Sequence, residues 1–210
     1  MEFLEALEWR YATKRMTGKE VPQEKVDTIL EAARLAPSSA GFQPFHIVVI
    51  KNKELLAQIQ PIARNQPQIG KASHLLVFAA WEDLTTEQIN EFFERTARER
   101  NLPAEAVEGF RSGMVNMFGG MAKEAKFELA ARQAYIAFGF ALAAAAVEQV
   151  DATPMGGFDG PALDKLLGLD KQGMRSVAIM PIGYRDEAED PIVKMKKIRR
   201  AKEHLVIEMN

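Results

Sequence analysis

Five short stretches carry residue types that could do chemistry, and none of them suffices alone. Arg10 and Lys14 stand four apart in a basic run that continues through Arg15 and Lys19. If the opening helix persists that far, the two share a face and can meet one anion together; the alternative is a solvated basic end that complements the helix dipole. Lys197-Ile198-Arg199, near the other terminus, is a second anion-capable pair inside a charge run. Runs of that kind are most often simply solvated. Between them lie neutral groups: Ser38, Ser39 and Gln43 in the stretch Ala36–Phe45, and Asn65 in a segment with two prolines and a glycine. The fifth is Pro154-Met155-Gly156-Gly157, where paired glycines let backbone N–H groups approach a ligand closely.

Other chemistries are excluded by what the 210 residues lack. There is no cysteine, so thiolate nucleophiles, zinc–thiolate sites and iron–sulfur ligation are out, and a cytoplasmic location is expected. His46, His74 and His204 are scattered without metal-ligand spacing, so no metal is expected. No GxSxG elbow, Walker A sequence or strand-borne GxGxxG is present. A net charge of −2 gives no nucleic-acid footprint and no attraction to acidic membranes. The longest apolar run, Ala134–Val147, reads as too short and too rich in alanine to span a bilayer.

These loops need elements to position them. Phe3, Leu4, Leu7 and Tyr11 recur at helical spacing, so a first helix is expected to end near Thr13. A second helix starts at Val21-Pro22 with Val26, Ile29, Leu30, Ala33 and Leu35 as its stripe, and Pro37 stops it. Ile47–Ile50 reads as a buried strand, and Glu54–Ile59 as a short helix. Gln60–Lys71 is expected to be irregular, and Leu75–Trp81 to be a strand buried on both faces. Two helices, Thr85–Arg100 and Ala104–Phe118, form an excursion over about 85–122. At its end Met114-Val115-Asn116-Met117-Phe118 either fills core gaps or roofs a pocket for flat substrates. Lys123–Gln149 is the longest helix, apolar nearly all round in its second half, so it is expected in the core or in a subunit interface. Asp159 is placed to cap a helix over Gly160–Leu167, and Met174–Tyr184 reads as a further strand. In the tail, 193–210, Leu205-Val206-Ile207 is a candidate edge strand that could add to a partner's sheet.

Taken in order, Arg10-Tyr11-Ala12-Thr13-Lys14, Ala36-Pro37-Ser38-Ser39 with Gln43-Pro44-Phe45, and Asn65 eight residues before Ser73-His74 make a pattern. Pro154-Met155-Gly156-Gly157-Phe158 and Lys197-Ile198-Arg199 complete it. Together they resemble the FMN-dependent nitroreductase family along the whole chain. The resemblance implies a single α+β domain over 1–210, a sandwich with a mainly antiparallel central sheet. It also implies an intertwined homodimer, with the tail wrapping the partner and FMN at the subunit interface.

By the same resemblance Arg10, Lys197 and Arg199 hold the FMN phosphate, with Tyr11 and Ala12 beside it. Lys14 sits at the N1/O2 edge of the flavin, Asn65 bonds the pyrimidine edge, and Pro154 with the Gly156-Gly157 backbone faces N5. Pro37, Ser38 and Ser39 come from the other subunit, and Phe118 falls near the position of a mobile aromatic gate. Lys14, Gly157 and Phe118 are thus the residues implied to stand closest to the chemistry. That chemistry is ping-pong transfer from NADH or NADPH to a nitroaromatic, quinone or related small acceptor. An ene-reductase, a reductive dehalogenase and a non-catalytic flavin-binding protein are the competing readings. Three positions depart from common family residues: Gly41 stands for Asn, Ala12 for Ser, and Gly156 for the Glu of the enteric branch.

Overall fold

The computed structural model describes residues 2–209. Strand β2 (His74–Trp81) is the axis of the fold, and its side chains alternate between two cores. Leu76 and Phe78 enter one buried cluster, whereas Leu75, Val77 and Ala79 enter the other. β2 pairs antiparallel with β1 (Phe45–Ile50) on one side and with β4 (Met174–Gly183) on the other. β4 in turn pairs antiparallel with the short β3 (Asp151–Ala152), giving the order β1-β2-β4-β3. The mainly antiparallel α+β sheet that the resemblance implied is therefore present.

One face is covered by α2 (Gln23–Leu35) and α7 (Lys123–Val147), through Val26, Ile29 and Ala33 of the first and Ala137, Ala141 and Ala145 of the second. The alanines let the α7 backbone come close to the sheet, which a longer side chain would prevent. The other face is covered by α3 (Lys53–Ile62) and α8 (Gly160–Leu167), through Leu56, Ile59 and Leu163. Each of these fully buried Leu and Ile side chains contributes about 1.5–3 kcal/mol. Asp159 caps α8 as expected, accepting from the Ala162 N–H at 3.1 Å, and Gly168 ends it with φ +67°.

α5 (Thr86–Glu99) begins with a reciprocal capping box between Thr85 and Gln88. It packs on α6 (Glu105–Gly119) around Leu84, Ile89, Phe93, Met114 and Phe118, with Phe42 joining from the loop before β1. Met114 thus belongs to a small core of its own, while Met117 is 52% exposed.

Several elements differ from expectation. α1 (Phe3–Trp9) stops before Arg10, whose backbone is extended, so Arg10 and Lys14 do not share a helical face. The reason is tertiary pairing. Residues 15–17 pair with the residues just past β4, where Thr17 N–H donates to Tyr184 O at 2.9 Å and Asp186 N–H donates to Arg15 O at 3.0 Å. Phe3 and Leu4, expected in the α1 stripe, are exposed, as is Leu35 at the end of the α2 stripe, and Ala6 is the residue α1 buries. β1 is an edge strand, with only Ile50 buried, because nothing among the described residues pairs its outer side. Residues 60–71 are less irregular than expected. α3 continues through Pro61 to Ile62, and α4 (Pro67–Gly70) follows with its proline at the first turn. The tail forms a helical turn, α9 (Lys202–Leu205), and Val206-Ile207 pair with no strand among the described residues. Finally, α7 as a whole is 25 residues long and apolar enough by composition to cross a membrane, which Ala134–Val147 alone did not suggest. Its buried side chains pack against β2, β4 and α2.

Candidate functional site

The extended strap after α1 brings its residues to a cleft of about 580 Å³ shared with the C-terminal tail. Arg10, Tyr11, Ala12, Pro154, Lys197 and Arg199 line it. The Arg10 guanidinium reaches the Ala152 carbonyl at 3.5 Å, and its Nε is buried with no hydrogen-bond partner. Burial pushes Arg10 below its ordinary pKa, the charge of Arg199 adds to this, and Asp151 opposes it. Lys197 is held by the carbonyls that end α1, donating to Leu7 O and, at 2.9 Å, to Glu8 O. Its pKa is also lowered, by burial first and then by Arg10 and Arg199. Cations crowded until they disfavour each other's charge, with a buried donor left over, make an anion site.

Two buried carboxylates hold the strap in place. Asp151 takes the Arg185 guanidinium in an ion pair of 2.7 Å and also accepts from Thr13 Oγ1 at 3.0 Å. Thr153 Oγ1 donates to the Thr13 carbonyl at 2.7 Å. Asp190 accepts from the backbone N–H groups of Lys14 (2.7 Å), Arg15 (3.2 Å) and Ile192 (3.0 Å). The buried Tyr11 hydroxyl faces Asp190 without a well-formed bond to it; burial, then that negative charge, push its pKa up to about 12. The Tyr11 ring lies under Arg185, 4.5 Å from centroid to guanidinium.

Pro154 also lines a second cleft of about 350 Å³, so the two clefts adjoin through it. Lys14, Arg64, Gln66, Gly156 and Gly157 line the second one. Here the glycine pair is set by the sheet. Met155 and Ile179 exchange backbone hydrogen bonds of 3.0 and 2.9 Å, leaving the next two residues free of the ladder. A β-carbon on Gly156 would lie 3.9 Å from the Tyr135 hydroxyl, and one on Gly157 would lie 3.8 Å from the Arg64 guanidinium. Asn65 is exposed, has φ +54°, and does not line this cleft, whereas its neighbours Arg64 and Gln66 do.

The remaining sequence candidates stand elsewhere in the chain. Pro37 is exposed; Ser38 Oγ accepts from the Gln43 N–H at 3.2 Å, and the Ser39 N–H donates to Gln133 Oε1 at 2.8 Å. Ser39 opens onto an apolar cavity of about 300 Å³ walled by Phe42, Phe110, Met114, Met117 and Phe118. Phe118 is buried in the α5–α6 core, and the freely exposed ring at that cavity is Phe110. One chain therefore presents two separate halves, a cationic groove and an apolar pocket beside the serine loop. Arg64, Gln66, Asp151 and Asp190 escaped the sequence reading. Only Arg64 and Gln66 carried a signal, as neighbours of Asn65.

Comparison with known proteins bears on the fold and the family. A family model described as the nitroreductase family matches residues 7–184. The tail cations Lys197 and Arg199 lie beyond that match, so they join the groove on geometry alone. YfkO of Bacillus subtilis, whose name marks it as a candidate NAD(P)H nitroreductase, is 30% identical over 207 residues, covering 93% of each chain. The major NAD(P)H-flavin oxidoreductase of Aliivibrio fischeri is 27% identical over 95% of each. A candidate nitroreductase from Exiguobacterium sibiricum, solved in complex with FMN, superposes with a TM-score of 0.82 at 22% identity, covering 100% of this chain and 98% of that one. With the family pattern running from Leu7 to Tyr184 and a 30% identical relative aligned along most of its length, this protein belongs to the nitroreductase family of oxidoreductases.

Proposed function

We propose that the chain is an FMN-dependent NAD(P)H oxidoreductase that works as a homodimer. The observation that carries this is the orphaned Arg10 Nε in a groove with Lys197 and Arg199, adjoining through Pro154 a cleft with Lys14 and two glycines. That order of groups fits FMN, which has a phosphate at one end and a flat, hydrogen-bonding ring at the other. When bound, FMN supplies two-electron chemistry between a nicotinamide donor and a nitroaromatic, quinone or related acceptor.

The chain's own residues do the rest. Arg10, Lys197 and Arg199 bind phosphate, with Tyr11 and Ala12 forming the wall beside it. Asp190 and Asp151 hold the strap so that Lys14 points into the ring-end cleft, where a fixed cation favours added electron density. Gly156 and Gly157 keep that cleft open to a close backbone approach, and Asn65, between the two lining residues Arg64 and Gln66, is the candidate for the pyrimidine edge. The apolar pocket at Ser39, with Phe110, Met117 and Phe118, excludes water from the acceptor.

Assembly in pairs is supported by what one chain leaves uncovered. Tyr135, Ile136 and Phe140 of α7 are 40–49% exposed, as are Phe3 and Leu4 of α1 to a greater degree. The Pro37-Ser38-Ser39 loop does not meet the cationic groove of its own chain, so a second copy is the source of a complete site. The tail beyond Val193, with Ile198, Leu205 and Ile207 exposed, suits the open outer side of the partner's β1.

Colour is the test. The purified protein is expected to be yellow, to bleach with NADH or NADPH under argon, and to recolour on adding a quinone. A colourless protein that takes up no FMN overturns the proposal. A yellow protein that neither nucleotide bleaches leaves binding without turnover.

A further inference from the structure

Arg64 has no role in any of the functional residues read from sequence, yet it shares the ring-end cleft with Lys14. Its guanidinium lies against Gly157, within 3.8–3.9 Å of where a β-carbon there would stand. No aspartate or glutamate lines this cleft. Neither Arg64 nor Lys14 forms an ion pair among the described residues, in contrast to Arg34, Arg111, Arg175 and Arg185.

The backbone delivers Arg64 to this place deliberately. Arg64 and Asn65 are consecutive non-glycine residues with φ +57° and +54°, a conformation uncommon for either alone. It is locked from both sides. Asn65 N–H donates to Gln60 O at 2.9 Å, Asp159 N–H donates to Ile62 O at 3.0 Å, and Gln66 Nε2 reaches Gly157 O at 3.5 Å. The end of α3 and the glycine turn are thus tied together, and the guanidinium lies over the turn.

We propose that Arg64 supplies a second fixed positive charge to the ring-end cleft and thereby favours the reduced over the oxidised form of FMN held there. This rests on the FMN reading above. Uptake of two electrons and one proton adds one negative charge to the ring, the electrons coming from the nicotinamide donor. A cation already fixed beside the ring stabilises that charge without reorganising. Arg64 is exposed, so solvent and salt screen its effect. A moderate effect follows, about tenfold in the ratio of FMN dissociation constants, oxidised to reduced. For a two-electron couple this is about 30 mV.

The test compares FMN-loaded wild type, Arg64→Gln and Arg64→Lys by equilibrium reduction against a reference dye, with the dissociation constant of oxidised FMN measured for each. Arg64→Gln is expected to lower the midpoint potential by about 30 mV while oxidised FMN binds within about twofold of wild type. Arg64→Lys is expected to restore most of the potential, and 1 M salt to shrink the difference. A wild-type potential in Arg64→Gln overturns the proposal, and so does Arg64→Lys behaving like Arg64→Gln, since shape rather than charge would then matter. Both results leave the FMN reading standing. A wild type that retains no FMN overturns the two together.

Discussion

The Asp151 carboxylate receives Arg185 twice, from its backbone N–H at 2.8 Å and from its guanidinium at 2.7–3.1 Å. The pair joins β3 to the second residue after β4, and Thr13 of the strap bonds to the same carboxylate. Asp151 is 3% exposed. Asp151→Ala leaves a part-buried guanidinium and a buried hydroxyl unpaired, and is expected to cost about 3 kcal/mol of stability. Urea unfolding measures it, and a loss below about 0.5 kcal/mol would show that the pair is not needed.

Arg10→Ala removes the one groove cation with an unpartnered buried Nε. FMN should bind about 10–100-fold more weakly, as expected for one or two lost charge-assisted bonds, while riboflavin, which lacks the phosphate, should change little. Titration of both flavins decides it, and equal losses would contradict the phosphate role.

Asp190 links pH to the strap. Burial raises its pKa, but three backbone N–H donors outweigh that and hold it below the ordinary carboxylate value. A carboxylate depressed by folding stabilises above its unfolded pKa and loses that stability as pH falls through the folded one. Stability should therefore decline below about pH 4, and Asp190→Asn should flatten that decline while lowering stability at pH 7.

His74 acts in the same direction at higher pH. Its ring is buried, Nδ1 lies 2.8 Å from Ser73 Oγ, and burial lowers its pKa, with Lys51 and Lys53 adding and Glu20 opposing. The folded state binds fewer protons than the unfolded, so stability present at pH 7 is lost as pH falls below about 6.5. Thermal melts of wild type and His74→Gln from pH 7.5 to 5 check this; wild-type melting that stays flat across the range would rule it out.

Phe118 and Phe110 should separate fold from recognition. Phe118 is 7% and Phe110 60% exposed. Phe118→Ala is expected to cost about 3 kcal/mol, whereas Phe110→Ala should leave stability nearly unchanged and raise KM for apolar acceptors. Steady-state kinetics beside denaturation curves would expose a reversed pattern.

Much of this protein was settled by local sequence alone. Asp159 was placed to cap α8, the continuous apolar run Leu75–Ala80 read as a strand buried on both faces, and missing cysteines and motifs removed whole chemistries. These are short-range matters of side-chain type, hydrogen-bonding geometry and spacing. Tertiary structure decided the site. Arg10 leaves the helix where the strap goes on to pair with residues 184–186 just past β4, and Lys197 reaches the end of α1 across 190 residues. Gln66 meets Gly157 across 91, and Arg64 comes with it. Contacts at such separations depend on sheet register and on which turns the strands bring together, and no local spacing carries that. Pro37, Ser38 and Ser39 mark the further limit, since their own chain offers the cationic groove no contact with them.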